Sequence, residues 1–208
     1  YLEHLGYAVT YIQNFTDIDD KIIKRANEKN ISIQALTDQF KQAYFEDMDA
    51  LNIKRATRYP CATDYIDAMT DLIQSLIDQK YAYSVEGEVF FSVHAFDSYG
   101  KLSKKTLDHL IAGSRVDVST LKKNPLDFVL WKPSKPGEPA WDSPWGKGRP
   151  GWHLECSAMV HQELGDQIDI HGGGQDLIFP HHENEIVQSE CFTHKPLSKY
   201  WLHNGFVT

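Results

Sequence analysis

The fold expected for this chain is decided by the stretch His171-Gly172-Gly173-Gly174-Gln175-Asp176-Leu177-Ile178-Phe179-Pro180-His181-His182-Glu183-Asn184-Glu185. Residues 167–170 just before it predict a buried strand, the glycine triplet predicts a turn, and a helix is expected to follow. A strand that runs into a glycine-rich turn and a helix is typical of nucleotide sites in α/β sheets, because backbone N–H groups exposed there can bind phosphate or ribose oxygens. The triplet alone is a weak signal.

The same stretch contains two candidate metal ligands, and a third lies earlier in the chain. His181 and Glu185 are four residues apart, so on a helix they project from one face, while Cys156 comes from a separate segment. A thiolate, an imidazole and a carboxylate suit zinc better than magnesium or calcium, which prefer oxygen ligands. Three ligands with one open position are typical of a zinc ion that binds something exchangeable.

An open zinc position could activate water or hold a donor atom of a substrate. The hydrolytic alternative needs a general base nearby, for which Glu183 or His182 could serve. The zinc-protease signature has two histidines four residues apart, and here the partner of His181 at that spacing is Glu185. The pattern therefore favours a zinc ion that holds a substrate.

Composition sets broad limits on the protein. The chain has 208 residues, of which 41% are hydrophobic and 24% charged, and no apolar run approaches the roughly 20 residues of a membrane span. A net charge of −8 means that a nucleic-acid partner must be bound by a local basic patch or by another domain. Three cysteines form no disulfide framework, which predicts a reducing compartment such as the cytoplasm. Residues 1–6 resemble the last turn of a helix, so we expect a longer parent chain.

Hydrophobic periodicity predicts a series of local elements. They are a strand over residues 8–12, a helix after the candidate N-cap Thr16, helices over 32–51 and 63–77, a hairpin joining 81–85 to 89–93, a short helix over 103–112, a strand over 126–131 and a helix over 156–164. Residues from about 30 to 115 form a mixed helical and hairpin unit. The length is that of one domain with an insertion, or of two domains.

Six stretches together resemble the cysteinyl-tRNA synthetase family: residues 14–21, 99–103, 128–132, 141–146, 148–159 and 171–185. The resemblance spans nearly the whole chain and implies a class I aminoacyl-tRNA synthetase. Such a fold is α/β, with a Rossmann-like catalytic domain, a parallel sheet with flanking helices, interrupted by a connective-peptide insertion. On this basis residues 1–30 are the first catalytic part, 31–115 the insertion, and 116–208 the second catalytic part with the zinc and adenylate site.

The resemblance also implies functional residues and ligands. In the family, zinc has four protein ligands, of which three match Cys156, His181 and Glu185, while the fourth is a cysteine expected ahead of the present Tyr1. The implied substrates are L-cysteine, ATP with Mg²⁺, and tRNA(Cys), and the implied enzyme is a monomer. The remaining implied substrate or ATP contacts are Thr16, Trp152, His171, Gly173 and Asp176: Trp152 and His171 match the amino-acid pocket, and Asp176 matches the aspartate that contacts the ATP ribose.

The selectivity implied by the family has a physical basis. Serine differs from cysteine by one atom, and an apolar pocket separates such near-isosteres by only about 1–3 kcal/mol. A soft metal that prefers thiolate to a neutral alcohol can do better, so no editing domain is needed. No catalytic side chain is assigned, because the substrate carboxylate attacks the α-phosphate and the enzyme mainly positions and neutralises charge.

The chain departs from the family pattern in two signatures. The segments resembling HIGH and KMSKS, which hold the ATP phosphates in class I enzymes, are expected before and after these residues, as is a C-terminal tRNA-binding region. We therefore expect residues 1–208 alone not to form adenylate. Three alternatives stay open: the ligase that joins activated cysteine to an amino sugar in mycothiol synthesis, a non-catalytic zinc or RNA-binding module, and a zinc hydrolase. Glu185 and His171 favour the synthetase over the amino-sugar ligase.

Overall fold

The computed structural model describes residues 1–106 and 120–205. The chain divides into two compact units, Tyr1–Tyr65 and Ile66–Thr208. The predicted division after residues 30 and 115 concerns the parts of a family domain, and it stays a prediction. None of the helices in the described residues has the length and hydropathy needed to cross a bilayer.

Two helices form most of the first unit: α1 (Asp20–Lys29) and α2 (Ile33–Ala50). Helix α1 is capped by Asp19, whose carboxylate accepts a hydrogen bond from the Ile22 N–H at 2.7 Å. The prediction that Thr16 is the cap was therefore wrong, because the nearer aspartate satisfies the first turn. Helix α2 begins where predicted, with Ser32 accepting a hydrogen bond from the Ala35 N–H.

The predicted strand over residues 8–12 does not form as a continuous strand. The segment makes one isolated parallel bridge, Ile12 with Arg58, and a second bridge, Phe15 with Cys61, follows just after it. Pro60 lies in the partner segment and accepts from the Phe15 N–H at 2.9 Å, but it has no N–H to donate. The parallel ladder is interrupted there, so the pairing stays at two points.

The second unit contains a four-stranded antiparallel sheet in the order β1 (Ala82–Val85), β2 (Glu88–Phe91), β3 (Phe128–Pro133) and β4 (Gly148–Pro150). The predicted hairpin is confirmed, since Glu86 and Gly87 both have positive φ angles, as a tight two-residue turn requires. The predicted strand over 126–131 is β3, shifted by two residues. Helix α3 (Ile66–Asp78) packs against β1 and supplies the buried side chains Met69, Ile73 and Leu76.

Four further elements of the described residues belong to the second unit: α4 (Trp152–Leu164), β5 (Ile168–Gly174), α5 (Glu183–Thr193) and β6 (Ser198–Asn204). Helix α4 begins four residues before the predicted start. Strands β5 and β6 pair in parallel, so β5, α5 and β6 form a βαβ unit. Within residues 1–106 and 120–205, parallel pairing is limited to this pair and the two bridges near the N-terminus.

The glycine triplet lies inside β5 and is not the predicted turn. Gly172, Gly173 and Gly174 pair with residues of β6, and the chain turns only at Gln175–Leu177 and Ile178–His182. The prediction that residues 167–170 are buried was also wrong for most of them, since Ile170 is 42% exposed. Backbone pairing with β6 keeps the triplet extended, an interaction that local sequence cannot show.

The predicted short helix over residues 103–112 lies mostly outside the described residues. Its described beginning, Ser103 and Lys104, is a turn in which Lys104 has a φ of 58°. Residues 99–103, just before it, contact the start of α5 and are described with the site below.

Candidate metal and substrate site

One end of the second unit gathers histidines from four elements. Helix α4 carries Trp152, His153 and Cys156, and β5 carries His171 and Gly173. The turn after β5 supplies His181 and His182, α5 begins with Glu183, Asn184 and Glu185, and β6 carries Trp201 and His203. His181, His182 and Glu185 are at most 4% exposed. This end of the unit therefore buries polar groups that sequence patterns alone would place at a surface.

The structure brings the three predicted metal ligands together. The Cys156 Sγ lies 3.5 Å from His181 Nε2, which lies 3.0 Å from Glu185 Oε1. One donor atom from each residue falls within 4.8 Å of the other two. His181 and Glu185 meet because the turn Ile178–His182 continues into α5, which preserves their four-residue helical spacing.

The Glu185 carboxylate is buried without a hydrogen-bond donor. His171 Nε2 lies 3.2 Å from Oε2 and His181 Nε2 lies 3.0 Å from Oε1, but neither contact has hydrogen-bond geometry. Burial would raise the pKa of Glu185, yet the neighbouring histidines, His171 first among them, hold it at about 2. The ionised carboxylate thus faces an imidazole nitrogen on each side together with the Cys156 thiol, a donor set into which a metal ion fits.

Two more histidines contact the rings of His181 and His182. His153 Nδ1 lies 3.0 Å from His181 Nδ1, and His203 Nε2 lies 2.8 Å from His182 Nδ1. Burial lowers the pKa of His153 to about 3, with His181 adding to the shift. Burial likewise lowers the pKa of His182 to about 4, against the opposing charge of Glu185. Both rings are therefore neutral near pH 7, as metal ligands and their partners must be.

Sequence reasoning left His153 and His203 without a role. A signal for His153 was present, because it lies three residues before Cys156 and so shares its helix face. His203 had no such signal, since its position depends on the register of β6 against β5, where it pairs with Gly173. Trp201, which packs against His171 with ring centroids 4.6 Å apart, was missed for the same reason.

The predicted pocket residues Trp152 and His171 both adjoin the ligand group. The Trp152 ring stacks on His181 with centroids 4.3 Å apart and an angle of 20° between the planes. Trp152 stays 43% exposed, so one face of the indole remains open to solvent or to a ligand. His171 approaches Glu185 from the opposite carboxylate oxygen to that of His181.

The remaining three predicted contacts, Gly173, Asp176 and Thr16, lie at three separate places. Gly173 packs against His182, and a Cβ there would lie 2.8 Å from the ring carbon Cε1. Asp176 is exposed in the turn Gln175–Leu177 and is not among the clustered residues. Thr16 belongs to the first unit, where it lines a cavity of about 450 Å³ together with Lys21 and Lys41. Gly173 is thus the one of these three that adjoins the histidines.

A loop formed by residues 99–103 is tied to the first turn of α5. The Glu183 carboxylate accepts hydrogen bonds from the N–H groups of Gly100 at 3.0 Å, Leu102 at 3.3 Å and Ser103 at 2.8 Å. The Tyr99 hydroxyl donates to Asn184 Oδ1 at 2.6 Å, and burial followed by Glu183 raises the pKa of Tyr99 far above its usual range. Because Glu183 is committed to three backbone donors, it is poorly suited to be the general base of the hydrolytic alternative.

Comparison with known proteins identifies the family. The profile of the family described as "tRNA synthetases class I (C) catalytic domain" matches residues 1–208. The chain belongs to the class I (C) tRNA synthetase family. Its α/β fold, with helices and sheets, is that of a class I synthetase catalytic domain.

Curated relatives of this class I (C) chain have consistent names. It is 60% identical to the cysteine–tRNA ligase of Thermodesulfovibrio yellowstonii over 212 residues, 59% to that of Caldicellulosiruptor saccharolyticus over 207 and 58% to that of Geobacillus thermodenitrificans over 207. Each comparison covers all of this chain and 44% of the relative, so the chain spans less than half of the relatives' length. A solved Campylobacter jejuni structure, provisionally assigned as an arginyl-tRNA synthetase, covers all of this chain and 48% of that one, with 14% identity and a TM-score of 0.48.

Proposed function

We propose that the complete protein containing this class I (C) chain activates L-cysteine with ATP and transfers it to tRNA(Cys). The observation that carries the proposal is the convergence of Cys156, His181 and Glu185. The Glu185 carboxylate is buried and has no donor in hydrogen-bond geometry. The names of the curated relatives, all cysteine–tRNA ligases, support the same substrate. The enzyme is proposed to be a monomer that acts in the cytoplasm.

Cys156, His181 and Glu185 would hold zinc in this proposal. A zinc ion there would prefer a thiolate to a neutral alcohol, which is the chemistry that separates cysteine from serine. The chain's own residues prepare the site for it. The contact between the two Nδ1 atoms of His153 and His181 leaves His181 Nε2 facing Cys156 and Glu185. Stacking of Trp152 on His181 fixes the plane of that ring.

The remaining predicted residues serve binding in the proposal. His171 and Trp152 adjoin the three ligands and would line the amino-acid pocket. Asp176 is exposed beside the end of β5, so its carboxylate is free of burial and could accept the ribose hydroxyls of ATP. Gly173 and Thr16 are proposed as further contacts for substrate or for ATP with Mg²⁺. No side chain of this chain is proposed to act as a base or nucleophile, because adenylation needs position and charge neutralisation.

The experiment is charging of tRNA with labelled cysteine by the complete reading frame that contains this chain, with serine as the competitor. The proposal predicts charging with cysteine alone and zinc bound to the purified protein. Cysteinyl adenylate without charged tRNA would replace the proposal with the amino-sugar ligase. Absence of both products, with zinc still bound, would favour a non-catalytic zinc module.

A further inference from the structure

The cavity of about 450 Å³ in the first unit is a groove where α1 faces α2, and it combines apolar walls with positive charge. Its volume lies in the range of sites that bind organic ligands. The described lining includes the apolar side chains Phe15, Leu36 and Phe40 and the cations Lys21, Arg25 and Lys41. None of the described lining residues is acidic, although acidic residues outnumber Lys and Arg by 29 to 21 in the chain. The α1–α2 groove therefore suits an anion with an apolar body.

Three cations of α1 form a row along the helix. Lys21, Arg25 and Lys29 are each four residues apart, so they share one face and span about 12 Å. Arg25 makes a surface pair with Glu28 Oε2 at 3.4 Å, and such exposed pairs are weak. A single anion is best met by cations gathered at one point, whereas a row of cations one turn apart matches successive phosphates of a nucleic-acid strand.

Lys41 adds charge from α2 but is partly engaged inside the fold. Its Nζ lies 3.0 Å from Cys61 Sγ and 4.0 Å from Asp17 Oδ2. Asp17 is buried and also accepts hydrogen bonds from the N–H and hydroxyl groups of Thr63. The exposed row on α1 is therefore the part of the charge that an outside ligand can reach most easily.

Phe40 gives the groove an open aromatic face. The residue is 57% exposed, in the middle of α2. Phe15 packs among Tyr44 and Tyr59, whereas Phe40, in the part of the chain that the structure describes, has no neighbouring aromatic ring. Lys29 Nζ lies 5.9 Å from the centroid of the Phe40 ring, which joins the ring to the row of cations. Single-stranded nucleic acids bind to such surfaces, because bases stack on aromatic rings while cations follow the backbone.

We propose that the α1–α2 groove binds a single-stranded stretch of tRNA, with one base stacked on Phe40 and phosphates along Lys21, Arg25 and Lys29. The proposal rests on the function proposed above, which supplies the tRNA. It gives a chain of net charge −8 the local basic patch that a nucleic-acid partner requires. A single strand is favoured over a duplex because only unstacked bases present a face to an aromatic side chain.

The test is binding of a tRNA(Cys) transcript to the complete protein, followed by fluorescence anisotropy over a range of salt concentrations. Phe40→Ala is expected to weaken binding by about 5–150-fold, which corresponds to the loss of one stacked base. Lys21→Gln, Arg25→Gln and Lys29→Gln are each expected to reduce the steepness of log K against log salt by about 0.7, since each removes one phosphate contact.

Two variants are the matched controls. Lys24→Gln changes the same charge on the same helix, but Lys24 does not line the groove, so the salt dependence should stay that of the wild type. Tyr7→Ala removes another exposed ring of the first unit, which is 64% exposed, and should leave the affinity for tRNA unchanged. Circular dichroism of each variant establishes that it is folded.

Competition tests the single-stranded character of the ligand. An unlabelled single-stranded RNA of about eight nucleotides should displace tRNA from the wild type, and a duplex of the same sequence should do so poorly. Equal competition by the duplex, or unchanged tRNA affinity in folded Phe40→Ala, would overturn the proposal. Weaker binding of ATP with unchanged binding of tRNA in Phe40→Ala would reassign the groove to a free nucleotide.

Failure of the proposed function gives a different result. A wild-type protein that binds tRNA(Cys) through Phe40 and the α1 row but does not charge it with cysteine would remove that function and keep the groove. Charging by the wild type, together with wild-type tRNA affinity in all four groove variants, would remove the groove and keep the function.

Discussion

Two buried carboxylates in the second unit have opposite surroundings. Asp127, before β3, is 1% exposed and accepts hydrogen bonds from the N–H groups of Val93 and Asn124 and from the Tyr83 hydroxyl. Glu185, in α5, is fully buried and accepts none. Burial alone therefore does not separate the two carboxylates; they differ because Asp127 has three donors in hydrogen-bond geometry and Glu185 has none.

A third carboxylate, Glu183, makes the comparison sharper because it lies only two residues from Glu185. It is equally buried, yet it accepts three backbone hydrogen bonds from the loop of residues 99–103. One turn of helix thus carries one carboxylate that holds a loop and another that is the proposed metal ligand. The comparison predicts that the two classes respond differently to substitution.

The largest effect is expected for Asp127→Ala. The substitution leaves the buried Val93 N–H without an acceptor and removes two further hydrogen bonds, so the free energy of unfolding should fall by about 3–4 kcal/mol. Urea unfolding measures this. Asp142→Ala is the control, because that side chain is 89% exposed and its loss should change stability by about 0.5 kcal/mol or less. A loss of under about 1 kcal/mol for Asp127→Ala would contradict its structural role.

Cys156→Ala is expected to lower zinc content and the affinity for cysteine together. Loss of a direct thiolate ligand should weaken zinc by more than the roughly 100-fold upper limit typical of outer partners. Metal analysis and equilibrium binding of cysteine to the complete protein measure the two effects. Cys61→Ala, a cysteine of the first unit that contacts Lys41, should leave zinc unchanged. Full zinc occupancy in Cys156→Ala would remove Cys156 from the ligands.

Glu183→Gln and Glu185→Gln test the comparison within one helical turn. Glutamine at 183 keeps one acceptor oxygen and turns a donor toward the other backbone N–H, so the metal-free protein should lose about 2 kcal/mol of stability. Glutamine at 185 removes a charge that His171 and His181 favour, with its pKa lowered by them, so metal-free stability should fall as well, but only this variant should lose zinc binding. Urea unfolding with a chelator, beside a zinc titration, measures both. Equal zinc affinities in the two variants would break the distinction.

Tyr83→Phe has the smallest expected effect, about 1 kcal/mol, from loss of one hydrogen bond to Asp127. Burial first, and then Asp127, raises the pKa of Tyr83 to about 12. Because the folded pKa is raised, the contribution is fully present below the unfolded value of about 10 and is lost as the pH rises through 12. The stability difference between the wild type and Tyr83→Phe should therefore shrink between pH 10 and 12. A difference that grows over this range would contradict the assignment.

The parts of the fold set by local patterns could be predicted from sequence. Helix α2 has its Ser32 cap and regular apolar spacing, and the hairpin has a turn dipeptide that tolerates positive φ angles. The glycine triplet and residues 8–12 depend instead on partners distant in sequence. Pairing with β6 keeps the triplet extended, and Pro60 interrupts the other ladder. Neither effect is visible in a local window.

The candidate site likewise has residues that local patterns predict and residues that depend on distant contacts. The spacing of His181 and Glu185 predicted their shared face, and the softness of thiolate pointed to Cys156. The spacing from His181 selected Glu185 as a ligand and left Glu183 as a possible base of the hydrolytic alternative. Whether a carboxylate has donors depends on tertiary contacts, so no local pattern showed that Glu183 is held by backbone N–H groups. His203 could not be found either, because strand register brings it to His182.

The hydrogen bonds of Glu183 link α5, the helix that carries the proposed ligand Glu185, to backbone amides far away in sequence. The amide protons of Gly100, Leu102 and Ser103 are protected from solvent exchange by a carboxylate that is about 80 residues away in sequence. Any opening of the first turn of α5 releases that carboxylate and exposes those amides together. Their exchange rates therefore report how often the first turn of α5 opens, even in experiments that observe no histidine.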